Sequence, residues 1–165
     1  MQSYPQIMGV IEFDLTRTVH AGIHDVFARL ADINGYNEWM PERGSMLRHT
    51  EQTSPGVPTL GTTYLDKTSF GPTPGEIAEF QPPHTLVYHW WDRSKAGKLK
   101  LEGWPAYRLE AIDDVSTLVH HNARMRTHRM YRLATPLLRR IAKKERTATL
   151  EALAASFEAS GQSVL

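Results

Sequence analysis

From Val10 to Val19 apolar and polar positions alternate. Ile11, Phe13, Leu15 and Val19 fall on one face, with Arg17 interrupting it, and Glu12, Asp14, Thr16 and Thr18 fall on the other. Such a period of two predicts a half-buried strand. The period then changes. Ile23, Val26, Phe27 and Leu30 stand three to four residues apart, which predicts a short amphipathic helix, ended or bent at Asn34-Gly35. A second short helical turn carries Tyr36 and Trp39 and stops at Pro41.

From about Ser45 to Met125 short runs are separated by turn signals, among them Ser54-Pro55-Gly56, Gly71-Pro72, Pro74-Gly75, Pro82-Pro83, Ala96-Gly97 and Asp113-Asp114. This spacing predicts consecutive hairpins in an antiparallel meander. In Leu99–Ala111 the odd positions include Leu99, Leu101, Tyr107, Leu109 and Ala111, and the even ones Lys98, Lys100, Glu102, Arg108 and Glu110. Pro105 threatens that register, so Trp104 has no assigned face. In Thr117–Thr127 the odd face is the apolar one and points inward, taking His121 with it. Leu86–Trp91 is partly apolar on both faces, and pattern alone leaves it unoriented. The last element is a long helix. Thr135 is a suitable N-cap, Pro136 a suitable first residue and Gly161 a suitable stop.

Composition narrows the class. The 165 residues are 41% hydrophobic and 22% charged, with a formal net charge of +1. One globular domain fits, with a near-neutral charge balance that points to neither nucleic acid nor a membrane surface. Cysteine is absent, which excludes disulfides and thiolate chemistry. The start MQSYPQIMGV lacks the basic flank and apolar run of a signal peptide, and no apolar stretch reaches membrane-span length. The expectation is a soluble cytoplasmic protein, monomer or homodimer, with no nucleic-acid partner and no integral membrane segment.

Taken in order, the first strand ending in Val19, the block DVFARLADINGYNEWMP (Asp25–Pro41), the segments EFQPPHTLVYHW (Glu79–Trp90) and STLVHH (Ser116–His121), and the long final helix resemble the START-related, Bet v 1-like superfamily, in particular its polyketide cyclase/dehydrase branch. The resemblance runs over about residues 10–160 and is specific for fold, since the scaffold serves many functions. It implies an α+β helix-grip fold: a seven-stranded curved antiparallel sheet around the C-terminal helix, two short helices after the first strand, and a ligand cavity between. It also implies that Tyr36 and Trp39 lie near the pocket mouth and that Tyr88 and Trp90 point inward.

The helix can be read at about 100° per residue from Leu137. Leu137, Ala155, Ala148, Ile141, Ala152, Leu138 and Ala142 then fill an arc from about 0° to about 140°, with Glu145 at about 80° and Thr149 at about 120°. Arg146, Arg139, Lys143, Arg140, Glu151 and Lys144 fall from about 180° to about 340°, which predicts a solvent face. A carboxylate within an apolar stripe is costly unless paired, hydrated or protonated. Glu145 is therefore either a structural partner of an inward arginine such as Arg17, a solvated group at the mouth, or a ligand contact. His121 is either a satisfied core histidine or a functional one. No histidine spacing suggests a metal, and no cofactor is expected. The basic runs 124–129 and 139–146 read as solvated surface.

These readings lead to two principal functions. One is binding or transport of a hydrophobic small molecule, lipid or polyketide-like, by Tyr36, Trp39, Tyr88, Trp90, Tyr107, Ile141, Ala148 and Thr149. The other is cyclase/dehydrase chemistry, with Glu145 or His121 as base and Tyr36, Tyr88, Tyr107 or Arg17 as donors. A third reading is a non-catalytic interaction protein whose pocket is vestigial.

Overall fold

The computed structural model describes residues 9–161. The signal-peptide reading and the outer limits of the 1–165 domain fall partly outside those residues. Strand β1 (Gly9–Val19) leads into helices α1 (Ile23–Ala31) and α2 (Tyr36–Trp39). The meander follows as β2 (Leu47–Gln52), β3 (Thr63–Thr68), β4 (Gly71–Gln81), β5 (Thr85–Arg93), β6 (Leu99–Asp113) and β7 (Ser116–Thr127). A 3-10 helix, Arg129–Ala134, then delivers the chain to α3 (Thr135–Gly161).

The seven strands form one antiparallel sheet in the order β1-β7-β6-β5-β4-β3-β2. Register shifts interrupt four of the ladders, at Leu47/His49, Ile77/Glu79, Asp92/Arg93 and Ala111/Asp113. Such irregularities increase local twist and help a sheet curl. The long helix packs chiefly against β1. This is the α+β helix-grip fold with its two short helices after the first strand.

Alternation explains most of the packing. Ile11, Phe13 and Val19 of β1 are buried, as are Val119, His121, Ala123 and Thr127 of β7. Pro105 does not break the register of β6. It sits opposite Ala123 of β7, and the pairing with β5 resumes on either side in the same register, at Val87–Ala106 and Trp90–Gly103. The missing N–H thus costs ladder bonds to β5 without moving the strand. Trp104 consequently faces outward, stacked on His89 at 4.7 Å.

The orientation of α3 differs from the one predicted. Leu137 is 60% exposed and Ala155 is exposed, whereas Leu150, Leu153 and Ala154 are buried. The buried face is centred about 90° from the predicted stripe, close to Arg146. The physical reason is side-chain size. Alanines mark a face weakly, while each buried leucine contributes about 1.5–3 kcal/mol. Leu150, Leu153 and the half-buried Phe157 therefore set the rotation, and Arg146 turns inward with them.

The core is in two pieces. One gathers Val26, Phe27, Leu30, Leu109 and Leu153 beneath α1, and the other gathers Ile11, Phe13, Ala123 and Ala142 near the start of α3. Members of both pieces line the cavity that lies between them.

Candidate functional site

The cavity has a volume of about 260 Å³. Leu30, Ile33, Leu101, Met125, Leu138 and Ile141 supply apolar wall, and Phe70 and Met46 stand at its β2–β4 side. Phe70 is 76% exposed. Side chains do not fill the space, so it can admit a compact ligand.

Polar groups enter from three directions. The loop and α2 are tied to β2: Asn37 donates to the Thr50 carbonyl at 2.7 Å and accepts from the Thr50 N–H at 2.9 Å, and Asn34 accepts from the Gln52 N–H at 2.9 Å. These bonds place Tyr36 and Trp39 at the cavity, with their rings edge to face at 4.5 Å. On β3 the alternation that buries Tyr64 also turns Asp66 inward. On α3, Glu145 and Arg146 line the wall together.

Arg146 is the centre of the site. Its Nη2 donates to Tyr107 Oη at 3.3 Å, while its buried Nε has no hydrogen-bond partner. Among the described residues no carboxylate stands within ion-pair distance of it. Burial works against its charge, yet Tyr107, Tyr36, Glu145 and Asp66 outweigh that effect and raise its pKa. The cavity therefore holds a permanent guanidinium with spare donor capacity.

The neighbours are shifted as well. Burial pushes the Asp66 carboxyl up to about 6, against the lowering effects of Thr50 and Arg146. Burial likewise raises the phenol of Tyr36 to about 12 and those of Tyr64 and Tyr88 well above the ordinary value. Tyr88 donates to the Leu30 carbonyl at 2.7 Å. Trp39 Nε1 is a buried donor without a partner.

Of the residues singled out from sequence, Glu145, Tyr36, Trp39, Tyr88, Trp90, Tyr107 and Ile141 line the cavity. His121, Ala148 and Thr149 are not among its lining residues. His121 lies behind Tyr107, ring on ring at 4.3 Å, and its Nδ1–H donates to the Ala106 carbonyl at 2.9 Å. Burial, and then the charge of Arg146, lower its pKa to about 3. Thr149 is buried in the layer behind, 3.4 Å from Tyr36 Oη and donating to the Glu145 carbonyl at 3.0 Å. Ala148 faces the loop at Gly44. Glu145 accepts from Ser45 Oγ at 3.1 Å; Arg17 pairs instead with Glu151 at 3.2 Å.

Sequence reasoning missed Arg146 and Asp66. The signal for Arg146 was its helical spacing from Leu150 and Leu153, four and seven residues on. The signal for Asp66 was its place two residues from Tyr64, although Leu65 made the two faces of β3 hard to rank. Among the described residues no three His, Asp or Glu side chains are grouped so as to hold a metal ion.

Solved structures share the whole architecture. The Zhui aromatase/cyclase from a Streptomyces species superimposes with a TM-score of 0.73 at 15% identity, over 90% of this chain and 94% of that one. A START superfamily protein from Mycobacterium smegmatis gives 0.67 at 12% identity, over 89% and 97% of the two chains. Truncated norcoclaurine synthase from Thalictrum flavum gives 0.63 at 13% identity, over 93% and 96%. At these identities the likeness is one of fold. No curated protein matches the sequence. The sequence match to a family is extensive: over residues 10–158 the chain belongs to the polyketide cyclase/dehydrase and lipid transport family.

Proposed function

We propose that the cavity binds a compact, largely apolar molecule and holds one oxygen-bearing end of it, a carboxylate or an enolisable ketone, on Arg146. The observation that carries this reading is a buried guanidinium lining the cavity, with no carboxylate at ion-pair distance among the described residues and an unpartnered Nε. Surrounding tyrosines and carboxylates favour its charge without taking all its donors, and an anionic or strongly accepting ligand group is the partner that can take the open donor. Tyr36, Trp39, Tyr88, Trp90 and Ile141 would supply the surrounding contact surface, with Glu145 near the rim. The volume, about 260 Å³, lies below the usual range of about 300–1,000 Å³ for ligand pockets. That favours one or two rings or a short chain over a long-chain lipid.

A matched probe series tests the role of the oxygen end. Tryptophan fluorescence titrations with 2-naphthoate and with its methyl ester compare the same ring system with and without the charge. Arg146→Met should weaken 2-naphthoate by roughly tenfold to a hundredfold, the loss of a charge-assisted hydrogen bond, and should change the ester little. Equal losses for both compounds, or none for either, would remove the basis of this reading.

One observation favours a catalytic use of the same cavity. Asp66 faces it with a carboxyl pushed up to about 6. A carboxylate in that range can accept an α-proton from a β-ketone while Arg146 holds the developing enolate oxygen. Asp66 then fits the base role better than His121, which Tyr107 separates from the space. The check is turnover of a poly-β-ketone thioester analogue: Asp66→Asn should lower it by at least about tenfold, and an unchanged rate would dismiss Asp66 as the base.

A further inference from the structure

One end of the sheet carries several exposed apolar side chains and a basic segment. The strand register brings Gly9 opposite Thr127, Thr127 opposite Leu101, Leu99 opposite Arg93, and Thr68 opposite Gly71. The β3–β4 turn, the β5–β6 turn and the 3-10 helix after Thr127 therefore share this end of the sheet. Met130 is 82% exposed, Leu133 78%, Leu137 60%, and Phe70, on the β3–β4 turn, 76%. Large apolar side chains so exposed and so grouped mark a surface that is covered in use.

The segment that carries Met130, Leu133 and Leu137 is basic. Between Asp114 and Glu145 the chain carries eight Arg and Lys and no carboxylate, although its net charge is only +1. Arg129, Arg132 and Arg140 make no ion pair among the described residues. Lys95 and Lys98, on the β5–β6 turn, are exposed at the same end. The apolar groups stand out singly from a 3-10 turn, a helix start and a hairpin tip. A protein partner would meet a flat patch depleted of lysine. Exposed apolar groups on a segment rich in arginine, with Lys95 and Lys98 at the same end, suit a bilayer interface carrying anionic headgroups.

We propose that this end docks on an anionic lipid bilayer, with Met130, Leu133, Leu137 and Phe70 entering the interfacial layer and the basic groups lying on lipid phosphates. The cavity reaches the same end, because Phe70 and Leu138 line it. An apolar ligand could then pass between lipid and cavity with little exposure to water.

Vesicle sedimentation tests the proposal directly. The full chain is mixed with vesicles of phosphatidylcholine alone, or of phosphatidylcholine with phosphatidylglycerol. Binding to the anionic vesicles should be at least about tenfold tighter and should fall with added salt. The double substitution Met130→Glu, Leu133→Glu should weaken it by at least about tenfold. Both sites are exposed, so the circular dichroism spectrum and the 2-naphthoate titration should not move. No sedimentation with either vesicle, or equal sedimentation of the chain and its double variant, overturns the proposal. So does a finding that the substitutions abolish self-association on size exclusion while vesicles are never bound. Failure of 2-naphthoate to bind at all would strike the cavity reading and leave this one standing.

Discussion

Two buried groups should cancel one another's effect on stability between about pH 4 and pH 6, and removing either should expose the other. Asp66 titrates near 3.8 when unfolded and at about 6 in the fold, so in this window the folded chain holds a proton that the unfolded chain has lost. His121 titrates near 6.5 when unfolded and at about 3 in the fold, so here the unfolded chain holds the extra proton. The signs are opposite. Stability from Asp66 is fully present below pH 3.8 and is lost as pH rises through about 6. Stability from His121 is present above pH 6.5 and is lost as pH falls toward about 3. Each group alone gives a slope of about 1.4 kcal/mol per pH unit, and together they give almost none. In Asp66→Asn only His121 remains, and stability should climb with pH. In His121→Gln only Asp66 remains, and stability should decline with pH. Over one and a half pH units each change amounts to about 2 kcal/mol. Urea unfolding followed by tryptophan fluorescence at several pH values gives the slopes. Any constant destabilisation from the substitution drops out, because the slope is read within one protein. The double variant should recover the slope of the parent chain. Single variants that run parallel to the parent would refute the reasoning, because the two groups would then not be titrating as their burial implies.

Two further outcomes follow from the same geometry. Arg146→Met should lower stability by about 1–3 kcal/mol, and thus Tm by roughly 2–4 °C for each kcal/mol, since Tyr107 loses its hydrogen bond and Glu145 and Asp66 lose the cation whose charge they favour; a melting temperature above that of the parent would contradict this. The rotation of α3 can be read from a pair of truncations in urea melts: Leu153→Ala, at a fully buried site, should cost about 2–5 kcal/mol, and Leu137→Ala, 60% exposed, less than about 0.5 kcal/mol. The reverse order would return the helix to the rotation predicted from its alanines.

Strand and helix periods were legible where one face meets the core and the other meets water. β1 and β7 are of that kind, and their inward residues could be named one by one. β3 and β5 were harder, because both line a cavity with rings on one face and carry apolar groups on the other. The helix was hardest for a related reason. A helix that walls a cavity need not be apolar along its whole inner face, and Glu145, Arg146 and Thr149 dilute the stripe where it passes the open space. Alanines at 148, 152 and 155 then look like the missing stripe. The charge of Arg146 itself argued for solvent, and only the large side chains at Leu150 and Leu153 argued against it.

The same features that hid Arg146 give it its use. A guanidinium tied to a close carboxylate would be neutralised and of little value to a ligand. Here Asp66 and Glu145 act on Arg146 through space and neither reaches it as an ion pair. Their fields keep it charged while its donors stay open. Asp66, reciprocally, is held near the middle of the pH range because burial raises it more than Arg146 lowers it. If a ligand brought a second negative charge to Arg146, that lowering would weaken and the field at Asp66 would turn more negative, so Asp66 would hold its proton to higher pH. A neutral ligand would leave that balance nearly unchanged. Uptake of a proton on binding, absent with the uncharged ester and absent in Asp66→Asn, would therefore distinguish an anion seated on Arg146 from one held elsewhere in the cavity.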